Sequence, residues 1–204
     1  MNHSRIHTIF TDVGGVLLTN GWGRSGRKKA VEVFKLDPIE TEERHNLTFD
    51  TYEVGKLSLD EYLERVVFYT HRNFTRDDFR GFMFEQSQPF PEMLALMQSI
   101  KDKHKIKIAV VNNEGRELND YRIKKFRLGN FVDFFISSSF VHFRKPDADI
   151  FRIAIDVAQA PVNEIVYIDD RPLFVQVAER LGLKGIVHVS VEDTSAQLAE
   201  LGLG

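Results

Sequence analysis

Polar and charged side chains follow several short apolar runs of the sequence, and their types point to chemistry on an anionic group. Asp12 follows the first run, Asn112 follows a second, and the pair Asp169-Asp170 follows a later one. Lys145 lies in a loop between the second run and the pair. Two adjacent carboxylates repel one another and gain stability from a divalent cation, and ligation by oxygen alone favours magnesium. The pattern therefore predicts a magnesium centre beside a candidate nucleophile.

Each of these residues also has an ordinary structural explanation. An aspartate before Gly-Gly, as at Asp12, is often only a turn former, and adjacent acids in a turn are often simply solvated. Lys145 could be an exposed loop lysine, and Asn112 could cap the following helix. Each residue alone is therefore weak evidence for a functional site. Their occurrence together, in this order along the chain, is much stronger evidence.

Parallel strands joined by crossover helices are the elements that must position these residues. In the second half of the chain, short runs rich in Ile and Val alternate with stretches of helical period, which is typical of a parallel sheet. In open parallel sheets, ligands bind beyond the carboxyl ends of the strands. The expected α/β core is Rossmann-like, with a five-stranded parallel sheet at Ile6–Thr11, Ile106–Val111, Phe131–Ile136, Glu164–Ile168 and Gly185–Val189.

The segment from about residue 26 to residue 88 has a different character, because it holds helical patterns and no convincing strand. Lys28–Leu36 and Leu59–Tyr69 are examples of predicted helices, with Asp and Ser placed as start signals. Loop-like residues flank the segment, Thr19–Gly23 before it and Gln88–Pro91, with two prolines, after it. We interpret the flanks as paired hinges around an all-helical insertion.

Length, composition and charge restrict the class of protein. The chain has 204 residues, 43% hydrophobic and 28% charged, which fits one globular domain or one domain with an insertion. A net charge of -3 offers no surplus of cations for nucleic acid or an anionic bilayer, so we expect neither as a partner. The lack of cysteine excludes disulfides, thiolate zinc sites and thiol catalysis. No signal peptide or membrane span is recognisable, and a cytoplasmic location is expected.

Four motifs in this order resemble those of the haloacid dehalogenase-like (HAD) hydrolase superfamily, in which residues at successive strand ends build one phosphoryl-transfer site. The motifs in this chain are FTDVGGVLL, IAVVNNE, RKPDADIF and VYIDDRPLFVQVAERLG. Phe49–Leu63, FDTYEVGKLSLDEYL, is similar to the helical cap that one subgroup inserts after the first strand. The resemblance implies a core domain of residues 1–18 and 89–204 and a cap domain of residues 19–88.

The resemblance also implies a role for each site residue. Asp12 is the expected nucleophile, which attacks phosphorus and forms an aspartyl-phosphate. Lys145 is expected to neutralise the nucleophile and the phosphoryl oxygens. The expected ligands of Mg²⁺, the implied cofactor, are the side chains of Asp12 and Asp170, the carbonyl oxygen of Gly14, and Asp169 through water. The expected phosphate-binding residues are Val13, Gly14, Asn112, Asn113 and Lys145.

Three positions differ from the family's pattern. Typical phosphatases of the family have a second Asp two residues after the nucleophile, which protonates the leaving group and then activates water, and this chain has Gly14 there. Asn112 replaces the usual Ser or Thr and can still donate a hydrogen bond. Phe174 stands where many members have an Asp or Asn that orients the metal ligands. Loss of acid–base assistance lowers rates by about 10²–10⁴, so we expect a slow phosphatase that favours stable leaving anions, or an inactive relative.

Substrate choice is less well defined by the sequence. Trp22 and Arg24, near the first hinge, could clasp an anionic or ring-bearing substrate, although a packing tryptophan at a solvated basic helix start is the plainer explanation. The favoured function is magnesium-dependent hydrolysis of a small phosphorylated substrate by a monomer or homodimer. Two alternatives stay open: a degenerate member that binds a phosphorylated ligand or a protein partner, and carbon–halogen hydrolysis through Asp12. Because the family's dehalogenases often lack the acidic pair, Asp169 and Asp170 favour phosphate chemistry.

Overall fold

Five parallel strands form the centre of the molecule in the computed structural model, which describes residues 5–204. The strands are β1 (Thr8–Thr11), β2 (Lys107–Asn112), β3 (Phe134–Ser137), β4 (Ile165–Asp169) and β5 (Lys184–Val187). Their order is β3-β2-β1-β4-β5, and every neighbouring pair is parallel. β1 and β4 are buried along their whole length, as expected where helices cover both faces of a sheet. The predicted α/β class and five-stranded parallel sheet are confirmed.

The helical insertion follows β1 along the chain, before the other four strands, and has four α-helices among the described residues. They are α1 (Arg24–Phe34), α2 (Pro38–Glu53), α3 (Leu59–Val66) and α4 (Arg76–Glu85). Ser58 and Thr75 cap the N-termini of α3 and α4 with capping boxes. In each box the cap side chain accepts from the backbone N–H three residues later, and the acidic side chain at that later position accepts from the backbone N–H of the cap residue. Within the described residues no strand interrupts this segment, so the predicted insertion of helices alone is confirmed.

Aromatic side chains form the interior of the helical insertion. The ring of Phe34 lies 4.5 Å from that of Phe74 and 4.8 Å from that of Phe79, measured between centroids. Trp22 is 3% exposed, and its indole nitrogen donates to the hydroxyl of Tyr62 at 2.9 Å. The insertion therefore has an apolar interior that holds its helices together, and Leu118 of the core packs into the same cluster.

Six further α-helices of residues 5–204 belong to the core that surrounds the sheet. They are α5 (Pro91–His104), α6 (Arg116–Lys125), α7 (Ser138–Val141), α8 (Ala148–Ala158), α9 (Pro172–Arg180) and α10 (Val191–Leu198). Ile9 and Phe10 of β1 enter two different apolar clusters, because successive side chains of a strand point to opposite faces. Among the helices that the structure describes, none is both long enough and apolar enough to cross a bilayer.

The two chain segments that connect the insertion to the core run side by side. The backbone N–H of Thr19 donates to the carbonyl of Gln88 at 2.8 Å, and the N–H of Gln88 donates to the Thr19 hydroxyl at 3.0 Å. Arg122 of α6 donates to the Ser87 hydroxyl at 3.0 Å and to the Thr19 carbonyl at 3.4 Å. One core arginine therefore contacts both connections.

All five predicted strands have different ends in the structure, β2 and β4 by one residue at each end and the other three by two or three residues at one end. β1 begins at Thr8 and not at Ile6, and β5 ends at Val187, two residues before the exposed Val189. β3 begins at Phe134 and not at Phe131, because residues 128–130 form a 3₁₀ turn and Phe131 fills an apolar cluster instead of pairing. Buried residues just outside a strand extend the apolar run at Ile6 and Phe131, whereas at Val189 the run continues into an exposed residue.

Candidate active site

The carboxyl ends of the central strand β1 and of its two neighbours, β2 and β4, bring the predicted polar residues together. Asp12 follows β1, Asn112 ends β2, and Asp169 ends β4, and β1 pairs with both other strands. Lys145 enters from the loop between α7 and α8, with its ammonium nitrogen 3.1 Å from Asp12 Oδ1 and 2.7 Å from Asp169 Oδ2. The parallel topology thus places three charged side chains, distant in sequence, in contact.

Lys145 is the central cation of the site and is 1% exposed. Its Nζ also lies 3.0 Å from the carbonyl oxygen of Val111 and 3.1 Å from the hydroxyl of Tyr167. Burial alone would lower the pKa of Lys145, but the charges of Asp12 and Asp169 outweigh it and raise the pKa above its ordinary value. The ammonium therefore stays charged at neutral pH.

Asn113 positions Lys145 through the main chain. The amide oxygen of Asn113 accepts from the backbone N–H of Lys145 at 2.8 Å, and its amide nitrogen donates to the carbonyl of Lys145 at 2.9 Å. Sequence reasoning assigned Asn113 to phosphate binding. In the structure its side chain is engaged with the loop that bears the lysine.

Asp12 is 9% exposed, and its Oδ1 accepts both from Lys145 and, at 2.8 Å, from the backbone N–H of Val13. Burial is the largest influence on the pKa of Asp12 and raises it. The charge of Lys145 lowers the pKa and the charge of Asp169 raises it, and the result is a pKa of about 7. A nucleophilic carboxylate must be ionised, and a bound cation lowers the pKa of a neighbouring acid. The site is therefore suited to act with a cation present.

Asp12, Asp169 and Asp170 form an acidic cluster whose carboxylate oxygens lie within 4.8 Å of one another. Both oxygens of Asp169 have protein partners, since Oδ1 accepts from the N–H of Arg171 at 2.8 Å and Oδ2 contacts Lys145 and Tyr167. Asp170 Oδ1 is buried and, among the described residues, has no hydrogen-bond partner. A buried oxygen in that state needs water or a cation, and an all-oxygen donor set suits Mg²⁺. The residues present thus fit the expected ion.

The two glycines after Asp12 have different roles. Gly15 has a φ of +77°, and a Cβ there would lie 2.2 Å from Asp170 Oδ2, so only glycine leaves room for that acid. A Cβ at Gly14 would lie 2.9 Å from Asn20 Oδ1, and the side chain of Asn20 also hydrogen-bonds to Asp170. Asn20 therefore occupies the space beside Gly14, a contact that the sequence did not predict.

A cavity of about 510 Å³ extends from Asp12 into the helical insertion. Six cationic side chains line it, against three carboxylates from Asp12, Glu53 and Glu114. The cationic residues are Arg24, Arg27, Arg122, Arg144, Lys145 and Arg171. This balance of charge suits an anionic ligand.

The remaining predicted residues differ in where they lie. Asn112 is 1% exposed and does not line the cavity; its amide nitrogen donates to Asn119 Oδ1 at 3.1 Å. The backbone N–H of Val13 donates to Asp12. Trp22 and Arg24 both line the cavity, Trp22 as a buried packing residue and Arg24 as an exposed one. The structure thus places Asp12, Asn113 and Lys145 at one cavity, whereas the side chain of Asn112 points away from the cavity toward Asn119.

A family model for haloacid dehalogenase-like hydrolases matches residues 6–182 of the chain, which spans all four motifs. The chain belongs to this family. A search among curated proteins gave no significant match. The motifs read from the sequence as HAD-like are therefore confirmed, and the chain is a HAD-like hydrolase.

Solved structures of HAD proteins share the fold at low sequence identity. The HAD family enzyme bt-2542 from Bacteroides thetaiotaomicron superposes with a TM-score of 0.83 at 17% identity, over 96% of this chain and 99% of that chain. A complex of bt-2542 with magnesium and inorganic phosphate gives 0.79 at 19% identity, over 94% and 98%. L-2-haloacid dehalogenase from Xanthobacter autotrophicus, with chloropropionic acid covalently bound, gives 0.63 at 13% identity, over 98% and 84%. These likenesses show the HAD fold.

Proposed function

We propose that this HAD-like hydrolase is a magnesium-dependent phosphatase that hydrolyses a small phosphate ester through an aspartyl-phosphate on Asp12. The observation that carries the proposal is the contact of Asp12 with Lys145 at 3.1 Å beside a buried, unpartnered oxygen of Asp170. A nucleophile, a fixed cation and an oxygen-lined metal site are the parts that phosphoryl transfer needs. The magnesium and phosphate held by bt-2542 support the proposal.

The chain's own residues perform the transfer in this proposal. Asp12, Asp170 and the carbonyl of Gly14 would hold Mg²⁺, with Asp169 acting through water, and the ion would neutralise phosphoryl charge. Asp12 contacts Lys145 and Val13 through Oδ1, so Oδ2 attacks phosphorus and the bond to the leaving oxygen breaks. Lys145 holds the negative oxygens of the phosphoryl group as they pass to the aspartate. Water then hydrolyses the aspartyl-phosphate and restores Asp12.

The acidic cluster also separates this function from carbon–halogen cleavage. Displacement of a halide by Asp12 needs no cation, whereas three carboxylates beside one lysine leave an excess of negative charge that a divalent ion relieves. The buried oxygen of Asp170 has no use in the halide reaction. Phosphate chemistry therefore accounts for more of the site.

Turnover of 4-nitrophenyl phosphate, with Mg²⁺ and with a chelator, tests the proposal. Asp12→Asn keeps the shape of the side chain and removes the nucleophile, so hydrolysis should fall to background while the fold persists. Asp120→Asn, the same exchange at an exposed helix position, is the matched control and should leave turnover unchanged. Full activity of the Asp12→Asn variant, or chelator-insensitive release of halide from 2-chloropropionate, would overturn the proposal.

A further inference from the structure

The residues assigned so far to phosphoryl transfer include no proton donor for the oxygen that leaves the phosphate ester. Gly14 has no side chain, yet an alkoxide leaving group is a poor one unless it is protonated as it departs. Besides Asp12 and Lys145, which have other tasks, and the arginines, the titratable side chains that line the cavity among the described residues are His45, Glu53 and Glu114. One of these three is the place to look for the missing acid.

Two of the three are committed elsewhere. His45 has its Nδ1 2.8 Å from the hydroxyl of Tyr62, and burial together with the charge of Arg27 lowers its pKa to about 4, so it is neutral at pH 7. Glu114 is paired with Arg122 at 2.6 Å, and both side chains are almost completely buried. Burial raises the pKa of Glu114 against the charge of Arg122, but its carboxyl group is engaged with that arginine, so neither group is placed to exchange a proton with a substrate oxygen.

Glu53, the last residue of α2, is held in place over the core by its main chain. The hydroxyl of Ser138 donates to the carbonyl of Glu53 at 2.6 Å and accepts from the backbone N–H of Glu114 at 3.0 Å. Two residues later, Gly55 has a φ of +71° and would clash with the Ser139 carbonyl if it had a Cβ. The end of α2 is therefore docked closely against the start of α7, where Ser138 also binds the loop that follows β2.

Glu53 is one of the residues that line the cavity, and it is 7% exposed. Arg144 Nη2 lies 2.8 Å from Glu53 Oε2, but outside hydrogen-bond geometry, so this buried oxygen has no hydrogen-bond partner among the described residues. Arg144 is shared, because its other terminal nitrogen contacts Asp50. Glu53 is thus an incompletely paired acid at the edge of the substrate space.

The charged groups that face Glu53 are Arg144, Glu114, Asp50 and Arg171. Burial is the largest influence and raises the pKa of Glu53 to about 7, with Arg144 opposing it and the two carboxylates adding to it. An acid with a pKa near the working pH is present in both its protonated and its ionised form. A group that first donates a proton and later accepts one needs both forms.

We propose that Glu53 is the general acid and base of this phosphatase and takes the place of the acid that is missing at Gly14. The inference rests on the proposed function. As Asp12 bonds to phosphorus and the ester P–O bond breaks, the proton of Glu53 passes to the departing oxygen and the product leaves as an alcohol. The Glu53 carboxylate then takes a proton from the water that attacks the aspartyl-phosphate, which releases phosphate and restores both acids.

Two substrates with different leaving groups test the inference. 4-Nitrophenolate leaves without a proton, whereas ethoxide from ethyl phosphate needs one. Glu53→Gln should therefore lower kcat/KM for ethyl phosphate by about 10²–10⁴ and leave that for 4-nitrophenyl phosphate within about threefold. Glu53→Asp keeps the acid and should recover part of the loss. Equal losses on both substrates would indicate a structural role and overturn the inference, as would a parent protein that hydrolyses only the aryl ester.

Asp50→Asn is the matched control, because Asp50 is a carboxylate one turn earlier on α2 that contacts the same arginine. At pH values well below the pKa of Glu53, where Glu53 is protonated in both proteins, it should leave the preference between the two substrates unchanged. The variant also removes a negative charge that raises the pKa of Glu53, so the pH at which ethyl phosphate hydrolysis declines should move downward. That high-pH decline should be absent in Glu53→Gln. A decline that persists there would contradict the assignment of Glu53.

The two proposals fail in different ways. If the Asp12→Asn variant keeps its activity, the phosphatase mechanism is wrong regardless of Glu53. If Asp12→Asn abolishes turnover while Glu53→Gln leaves ethyl phosphate hydrolysis unchanged, the mechanism stands and only the assignment of the acid is wrong.

Discussion

Replacing Asp12 by asparagine should stabilise the metal-free protein at pH 8 while it destroys activity. In the metal-free fold the Asp12 carboxylate is buried and shares the ammonium of Lys145 with Asp169, so loss of its charge removes first a desolvation cost and then a repulsion. The introduced asparagine cannot ionise, and it keeps the size of the aspartate. The variant thus removes an electrostatic cost that the nucleophile imposes on the fold.

The size of the effect follows from the pKa of Asp12. That pKa is raised from its ordinary value of 3.8 to about 7, chiefly by burial. Between these two values the unfolded chain has lost the proton and the folded protein retains it, so the free energy of unfolding falls as pH rises through this window and is level above it. At about 1.4 kcal/mol per pH unit, the full loss is on the order of 4 kcal/mol, and the Asp12→Asn variant escapes it.

Urea denaturation in the presence of a chelator, at pH 4, 5, 6, 7 and 8, measures this difference. The variant and the parent protein should agree near pH 4, and the variant should become the more stable one as pH rises to 7. Asp120→Asn, an exposed control, should follow the parent at every pH. Added Mg²⁺ should stabilise the parent at pH 8, by about 2.7 kcal/mol at 100 times its Kd, and the variant much less. A parent that is the more stable protein at pH 8 without metal would refute the reasoning.

Three further predictions test single parts of the site. Asp170→Ala should weaken Mg²⁺ binding in calorimetric titration more than Asp169→Ala, because the oxygens of Asp169 already have protein partners; the reverse ranking would contradict the ligand assignment. Asn113→Ala should lower kcat by up to about 10²-fold with Mg²⁺ affinity unchanged, since it frees the backbone that positions the lysine, and an unaltered kcat would count against this role. In the Glu53→Gln background, Gly14→Asp should restore part of the rate on ethyl phosphate; no gain would show that an acid at this position does not reach the leaving oxygen.

The sheet and the core of the site were accessible from the sequence because both depend on local patterns and on one topological rule. Buried parallel strands are continuous apolar runs, and their carboxyl ends lie at one edge, so Asp12 and Asp169 were expected at the same edge once the strands were recognised. That β1 and β4 are adjacent is seen in the structure. Helix ends were less accurate. α1 begins at Arg24 and not at Lys28, after a Gly23 whose lack of a side chain gives no capping signal.

The parts of the site that the sequence did not predict depend on how the insertion and the loops dock. Glu53 ends a helix outside the four core motifs, and its contacts with Ser138 and Arg144 bring it to the cavity. Asn20 lies in a hinge, where no pattern shows that its side chain turns back toward Asp170. The direction of the Asn112 side chain, toward Asn119, is likewise decided by packing behind β2.

Detection of the covalent intermediate tests the central claim most directly. A reaction with 4-nitrophenyl phosphate and Mg²⁺, quenched in acid during turnover and digested, should give a peptide of the β1 end that carries one phosphoryl group on Asp12 by mass spectrometry. The Asp12→Asn variant should give none, and Asp120→Asn should give the same labelled peptide as the parent. Turnover without any phosphoryl group on the protein, or a phosphoryl group on another residue, would contradict the account.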